Sequence, residues 1–511
     1  MDTRASGAAK SYRQILKSTS ILGGSSAINI VLRIIRTKFL AVLLGPSGIG
    51  LLGVYTSITD MVGAMARMGI DNSGVRQVAE AVGSDDEDKI SRAFFSIRRI
   101  SLFLGVSGMF LLILLSQLIS RVTFQDTAHT WDVILLSVII LFDTIVAGEV
   151  ARIQGMRKIS DLAKVSVLSA LFGTVFSIPI VYVFGEKGIV PFLMASSAAS
   201  MVIAWWYASK LKVSRRRTGW AEIRTDVKPL LKLGFVIMVA DLMGRGVIYM
   251  LRVLVVRSFD LAASGLYQVG MTLSSMYVGF ILDSMVKDYY PRLASIADDD
   301  AACNELVNEQ VEIGTLLAAP GILVILTFAP IIIQMFYSSK FVGAFEILRW
   351  GILGMLLRVA SWPLGFILQA KRRAGLYLLT DFLMNVIHVA LVWAGMSYLG
   401  LHGAGVGFFC MCILYWIMIY GVARSLTGFS WSAANIRNAL LIVPAVGVVF
   451  LSRFILDEFS AMLLGAIISA AFALYSIRTM THIVSPEGFV CLVRQIKERF
   501  WATAFPQDGN K

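Results

Sequence analysis

The sequence predicts an all-α integral membrane protein with fourteen transmembrane helices: two six-helix lobes related by a parallel pseudo-two-fold repeat, followed by two extra C-terminal helices. The first observation is composition, because 57% of the 511 residues are hydrophobic and 15% are charged, against about 25% charged in soluble domains. The second is that apolar runs of about 20 residues, the length that crosses a bilayer, recur along the whole chain. The third is that the sequence matches itself at one constant offset.

The apolar runs and the charged loops between them define the spans and their orientation. Most lysines and arginines outside the runs fall in alternate loops, such as "KLKVSRRR" at 210–217, and in the C-terminal tail. Such loops are cytoplasmic by the positive-inside rule, which predicts that both termini are cytoplasmic. The predicted spans are 20–44, 50–70, 96–120, 132–152, 163–184, 188–209, 231–256, 264–286, 313–336, 346–369, 374–398, 402–423, 438–456 and 459–477.

The internal repeat has an offset of 215 residues. Gln154 matches Gln369, and the Arg157-Lys158 pair matches Arg372-Arg373. An even number of spans separates the copies, so the two halves have the same orientation, as in transporters whose cavity lies between two lobes. The repeat predicts an N-lobe at 1–215, a cytoplasmic linker at 216–230, a C-lobe at 231–425, two further spans at 426–480 and a cytoplasmic amphipathic tail at 481–511.

Several spans carry basic residues, which are costly in a bilayer and usually face the protein interior or a water-filled cavity. In span 1, Arg33 and Arg36 are three residues apart and share a helix face, whereas Lys38 lies nearer the outer interface. The predicted set of cavity cations that contact substrate is Arg33, Arg36, Lys38, Arg245, Arg252 and Arg358.

Acidic residues within the spans leave two interpretations open. Four of them are candidates for ion coupling: Asp60, Asp143, Glu149 and Asp283. One interpretation is that the acids neutralise the arginines, and the i,i+4 spacing of Asp241 and Arg245 favours an ion pair there. The other is a cavity that binds an anion, because span 1 has no acid of its own and guanidinium binds phosphate in bidentate fashion.

Other classes of function lack support in the sequence. The four histidines have no acid and nucleophile at informative spacing, and no P-loop motif occurs, which argues against an enzyme and against transport driven by the chain's own ATP hydrolysis. The four cysteines are scattered, so no metal site or cofactor is predicted. The net charge of +13 is spread among loops, which argues against a nucleic-acid partner.

Three segments resemble a known family. "KFLAVLLGPSGIGLLG" (38–53), "MGIDNSGVRQVAE" (68–80) and "FYSSKFVGAFEILRW" (336–350) are similar to segments of the O-antigen translocases, polysaccharide flippases of the multidrug/oligosaccharidyl-lipid/polysaccharide exporter superfamily. The resemblance implies a flippase for polyprenyl-diphosphate-linked oligosaccharide, coupled to an ion gradient, in the inner membrane of a Gram-negative bacterium. It places Lys38 at a substrate-facing position and implies membrane lipids, a polysaccharide polymerase and a chain-length regulator as partners.

Two alternatives share this fold. A cation-coupled multidrug antiporter would need a cavity of acids and aromatic residues, whereas span 1 is basic. A lipid II flippase also needs cations for a diphosphate and has room for fourteen spans. The glycine- and proline-containing turn after span 1, with Gly45 and Pro46, favours the O-antigen branch.

Overall fold

The computed structural model describes residues 2–84, 86–211, 213 and 220–483, and every regular element in these ranges is helical. Short 3₁₀ turns join some of the helices. The helices are α1 (Asp2–Arg67), α2 (Ile70–Gly83), α3 (Glu87–Phe124), α4 (Thr130–Gly155), α5 (Ile159–Phe184), α6 (Ile189–Ser209), α7 (Trp220–Ser258), α8 (Leu261–Ser295), α9 (Asp300–Phe336), α10 (Phe345–Ala370), α11 (Ala374–Leu399), α12 (Gly403–Thr427), α13 (Ala433–Ile455) and α14 (Glu458–Ile483).

The chain is a multi-pass membrane protein. Nine segments of the described residues are long and apolar enough to cross a membrane. Every predicted span except the second lies within a helix or extends past its end by no more than one residue. Several helices continue well beyond the predicted spans, because hydropathy detects the apolar middle of a helix and not its polar ends. The count of fourteen spans stays a prediction.

The predicted turn after span 1 is a kink within α1. Gly45 has φ 67° and ψ −169°, which separates two helical segments. This backbone conformation strongly favours glycine, since a Cβ would clash there. Pro46 fits directly after the kink because proline lacks a backbone N–H, and the N–H of the first residue of a helix has no acceptor within the helix. The Gly45-Pro46 pair therefore explains why one apolar region of the sequence folds as two helical segments.

The helix that carries the second predicted span, 50–70, ends at Arg67, three residues before the predicted end. Ala66, one residue before this end, packs against Gly108 of α3. Met68 and Gly69 then take positive φ values of 44° and 66° and interrupt the helix. The chain continues as α2, whose Val78 packs against Gly155 at the end of α4. The polar residues of α2 hid this continuation from the hydropathy pattern.

Aspartate residues cap the start of two helices. Asp86 caps α3 by accepting hydrogen bonds from the backbone N–H groups of Asp88 and Lys89. Asp299 caps α9 by accepting one from Ala302. Aspartate is favoured at this position because its side chain satisfies N–H groups that have no intrahelical acceptor.

Element bounds recur at the spacing of the predicted repeat. Helices α4 and α5 begin and end 215 residues before α10 and α11, respectively. Arg157 and Arg372 both have φ 56° in the turns that follow α4 and α10. Gly185 and Gly400 also match, with positive φ values after α5 and α11. These agreements support the repeat, and they arise in turns that hydropathy does not describe.

The described chain divides into two compact units, 2–257 and 258–483. In the first, α4 packs against α1, α2, α3 and α6. In the second, α10 packs against α8, α9 and α12, and α13 and α14 pack against α9. Helix α7 groups with the first unit and includes residues of the predicted linker. The predicted amphipathic tail lies mostly outside the described residues.

Candidate substrate site

The deep arginines of the first predicted span lie on α1. Arg33 is exposed and Arg36 is half-buried. Neither forms a hydrogen bond or an ion pair with the described side chains of the protein. Arg36 lies against α5, where its Nη1 is 3.2 Å from the position that a Cβ on Gly173 would take. The Ser196 hydroxyl of α6 is 3.7 Å from the same position and has no partner among the described groups.

The two arginines that are fully buried in the helices are paired with acids, whereas Arg33 and Arg36 form no ion pair with described side chains. Arg152 donates to Glu149 within α4, and Arg349 donates to Glu346 at 2.9 Å within α10. A cation removed from water without a partner costs several kcal/mol, so such residues are normally paired. The α1 arginines are therefore available to an anion.

Lys38 is half-buried two residues beyond Arg36 and is engaged by neighbouring groups. It lies on the segment of α1 that leads to the kink at Gly45. Its predicted contact with substrate stays a prediction.

Arg245 of α7 is ion-paired. Its Nε lies 2.8 Å from Asp241 Oδ2, which confirms the i,i+4 pair, and its Nη1 lies 3.5 Å from Asp60 Oδ1 of α1. The side chain remains about one-third exposed. Two carboxylates offset its charge, so Arg245 is a weaker candidate for anion binding than the α1 arginines.

Arg252 has a structural contact. It donates to the Gly53 carbonyl of α1, and its Nη1 lies 3.3 Å from the Thr56 hydroxyl. Tyr249, on the same helix, hydrogen-bonds Thr123 of α3 at 2.7 Å. These contacts attach α7 to the first unit.

Asp143 of α4 forms a hydrogen bond rather than an ion pair. The Ser197 hydroxyl of α6 donates to its carboxylate. Arg67 and Asp60 of α1 lie within electrostatic range. The sequence did not single out Arg67, because it falls at the end of the second predicted span, where a basic residue is expected at the cytoplasmic interface. The structure instead brings it within electrostatic range of Asp143.

The other candidate acids differ in their surroundings. Glu149 is buried, is bonded to Arg152 and lies 3.7 Å from Arg98 Nε. Glu149 therefore pairs with arginines inside the first unit. Asp283 of α8 is exposed in the second unit and forms no ion pair with the described residues.

Arg358 is an exposed cation of the second unit, on α10. It lies within electrostatic range of Asp381 and His388 on α11 and Tyr415 on α12. The structure thus brings Arg33 together with Arg36, and Arg245 together with Asp60, whereas Arg358 and Asp283 belong to the other unit.

Two solved structures of membrane proteins share the fold of this chain. An inward-facing multidrug resistance MATE family transporter matches 81% of this chain and 99% of its own, with a TM-score of 0.65 and 15% identity. The lipid II flippase MurJ in an inward closed conformation matches 92% and 99%, with a TM-score of 0.65 and 14% identity.

The chain belongs to the polysaccharide biosynthesis protein family, whose model matches residues 39–346. Among curated relatives, the lipid III flippase of Escherichia coli is 21% identical over 417 residues, which are 80% of this chain and 98% of the relative. The lipid III flippase of Shigella flexneri matches to the same extent. These relatives are transporters, as the sequence predicted.

Proposed function

We propose that this protein is a flippase that moves a polyprenyl-diphosphate-linked oligosaccharide from the cytoplasmic to the periplasmic leaflet by alternating access. The observation that carries the proposal is the pair of arginines on α1, Arg33 and Arg36, which form no ion pair with described residues inside an apolar span. Guanidinium groups bind phosphate oxygens through paired, charge-assisted hydrogen bonds. A diphosphate offers two adjacent anionic groups for two arginines that share a helix face.

The oligosaccharide is proposed to be an O-antigen or enterobacterial common antigen repeat unit. Membership of a polysaccharide biosynthesis family and similarity to lipid III flippases support a lipid-linked sugar. The proposed location is the inner membrane, with both termini cytoplasmic, where a polysaccharide polymerase and a chain-length regulator would receive the product.

Charge separates this proposal from its alternatives better than fold does. The MATE transporter and MurJ match equally well by TM-score, so the fold fits a multidrug antiporter and a lipid II flippase too. Two of the first unit's acids, Asp60 and Glu149, are paired with arginines, which leaves little free negative charge for a cationic drug. A lipid II flippase would share the phosphate contact and differ in its sugar.

The test is to delete the gene and identify the accumulated lipid by mass spectrometry. We expect a polyprenyl-diphosphate oligosaccharide to accumulate, with its sugars facing the cytoplasm, and to disappear when the gene is restored. Accumulation of lipid II would transfer the assignment to the second alternative. A strain with unchanged lipid-linked intermediates and increased drug sensitivity would overturn the proposal in favour of an antiporter.

Asp143 is the acid that we propose for proton coupling. It is hydrogen-bonded to Ser197 without an ion pair, so it can exchange a proton without breaking a salt bridge. We expect Asp143→Asn to remove the stimulation of flipping by a pH gradient, because the amide does not titrate, while flipping without a gradient persists. The measurement is the rate at which a fluorescent lipid-linked sugar becomes accessible to an impermeant quencher in proteoliposomes.

The matched control for this experiment is Glu186→Gln, which neutralises an exposed carboxylate in the turn between α5 and α6. It should flip at the wild-type rate and keep the full gradient response. If Asp143→Asn responded to the gradient as strongly as wild type, Asp143 would be excluded as the coupling residue.

A further inference from the structure

A cavity of about 500 Å³ lies within the first unit, between α3, α4 and α6. It is separate from Gly173 and the arginines of α1. Arg98 and Arg99 of α3 line it and are exposed, and Glu149 of α4 is buried at its wall. The flipping mechanism does not use these groups, so the cavity needs its own explanation.

The charge of the cavity is positive. Glu149 is the acid among the lining residues, and Arg152 beside it already neutralises that carboxylate through a hydrogen bond. Arg98 is 3.7 Å from Glu149, a long contact, and its side chain is 47% exposed. Arg99 is engaged by a neighbouring group, but the lining still holds two arginines against one acid, and this net positive charge favours an anionic occupant.

The cavity is polar at one end and apolar at the other. Along α3 the lining changes from the charged Arg98 to the aliphatic Leu102 within about one helical turn. Along α4 it changes over the same distance from the charged Glu149 to the aliphatic Ile145. Because α3 and α4 are antiparallel, both steps run in the same direction along the bundle. Val202 lies one turn from Trp205 on α6 in that direction too. An occupant therefore needs an anionic head and an apolar body.

Aromatic residues place the polar end at a membrane surface. Trp205 is about half exposed, and Lys210 lies over the neighbouring Trp206 ring at 3.2 Å. Tryptophan and lysine concentrate where a helix leaves the apolar core of the bilayer. Basic pockets between transmembrane helices at this level fit the head groups of anionic lipids.

We propose that this cavity binds an anionic glycerophospholipid, with its phosphate at Arg98 and Arg99 and its acyl chain along Leu102 and Val202. The phosphodiester accepts hydrogen bonds from the guanidinium groups, and the apolar end excludes water from the chain. This site is independent of the oligosaccharide and of the proposed flipping activity. A lipid bound in this cavity would be held by residues of the first unit.

The test uses the purified full-length protein and native mass spectrometry, which counts retained lipids. We expect phosphatidylglycerol to be retained and zwitterionic phosphatidylcholine to be lost. The double substitution R98Q/R99Q should weaken retention of phosphatidylglycerol about ten-fold or more, since each basic residue near an anionic lipid surface is worth roughly a factor of five. Glu149 keeps Arg152 in this variant, so the fold should survive.

Two further variants and one competitor make the result decisive. R372Q/R373Q removes another exposed arginine pair, at the start of α11, and should retain phosphatidylglycerol as wild type does. Val202→Trp fills the apolar end without changing charge and should also reduce retention. Equal retention by R98Q/R99Q and wild type would overturn the proposal, as would equal binding of both lipids. Displacement by millimolar inorganic phosphate would identify a simple anion site instead.

Discussion

Arg36→Glu is expected to abolish polymer export while the protein still inserts into the membrane. The substitution removes a phosphate-binding guanidinium and places a carboxylate where the diphosphate would bind. Charged hydrogen bonds contribute about 1.5–3 kcal/mol each, so the loss of the two bonds of one bidentate contact predicts a decrease of at least about 100-fold in affinity for the diphosphate. The measurement is the amount of surface polymer and of accumulated lipid-linked intermediate in a gene-deletion strain that expresses the variant.

The matched control is Arg437→Glu, the same charge reversal at an exposed arginine near the start of α13. It should export normally at equal protein level. Arg33→Glu should resemble Arg36→Glu, because the two residues lie on one helix face. Normal export by both α1 variants would exclude the anion-binding role of this helix.

A second variant tests the position of Arg36 without changing charge. Gly173→Val would place side-chain atoms where Arg36 Nη1 now lies, so the guanidinium must move. We expect reduced export, though less severely than for Arg36→Glu. Gly447→Val on α13 is its control, because no neighbouring atom lies within 4 Å of a Cβ there. Equal export by both glycine variants would show that the place of Arg36 beside α5 is unimportant.

The elements that the sequence predicts best are those whose signals are local. The turn at Gly45 and Pro46 and the aspartate caps at Asp86 and Asp299 follow from backbone sterics and unsatisfied N–H groups, and the structure has them where the residues indicate. The long apolar runs identify the helices for the same reason, since the bilayer sets their length.

Features that depend on tertiary contacts escaped prediction. The break at Met68 and Gly69 lies against Gly234, whose carbonyl oxygen would be 2.7 Å from a Cβ on Gly69, so this close approach requires glycine. Nothing near Gly69 in the sequence reveals a partner more than 160 residues away. Likewise, only the folded structure identifies Asp60 as a second partner of Arg245. The first partner, Asp241, is predicted by its i,i+4 spacing in the sequence.

The repeat adds information about chemistry that neither half gives alone. At the 215-residue spacing, Asp143 corresponds to Arg358, so an acid in one half stands where the other half has a cation. Gly173, which leaves room for Arg36, corresponds to His388, which is half-buried in the second unit. Under the predicted repeat, the two halves therefore differ in charge at corresponding positions.

Arg349→Met is expected to cause the largest loss of stability. Arg349 is 2% exposed, is paired with Glu346 and donates to the Phe450 carbonyl of α13, with its guanidinium 4.3 Å from the Phe450 ring centroid. Methionine fills the volume but leaves the carbonyl without its donor and the carboxylate without its partner. Removing one member of a buried pair costs about 3–5 kcal/mol. The measurement is the melting temperature of the purified protein in detergent, with limited proteolysis to detect release of α13.

Arg437→Met is the control for stability, because it makes the same substitution at an exposed position and should melt as wild type does. Arg349→Lys should recover part of the loss, since it keeps the charge and one donor. An unchanged melting temperature for Arg349→Met would refute the view that this arginine attaches α13 to α10. Comparison of the two arginines gives the clearest test. Replacing Arg349, which has partners, should lower the melting temperature, whereas replacing Arg36, which forms no ion pair with described side chains, should reduce transport and leave the melting temperature unchanged.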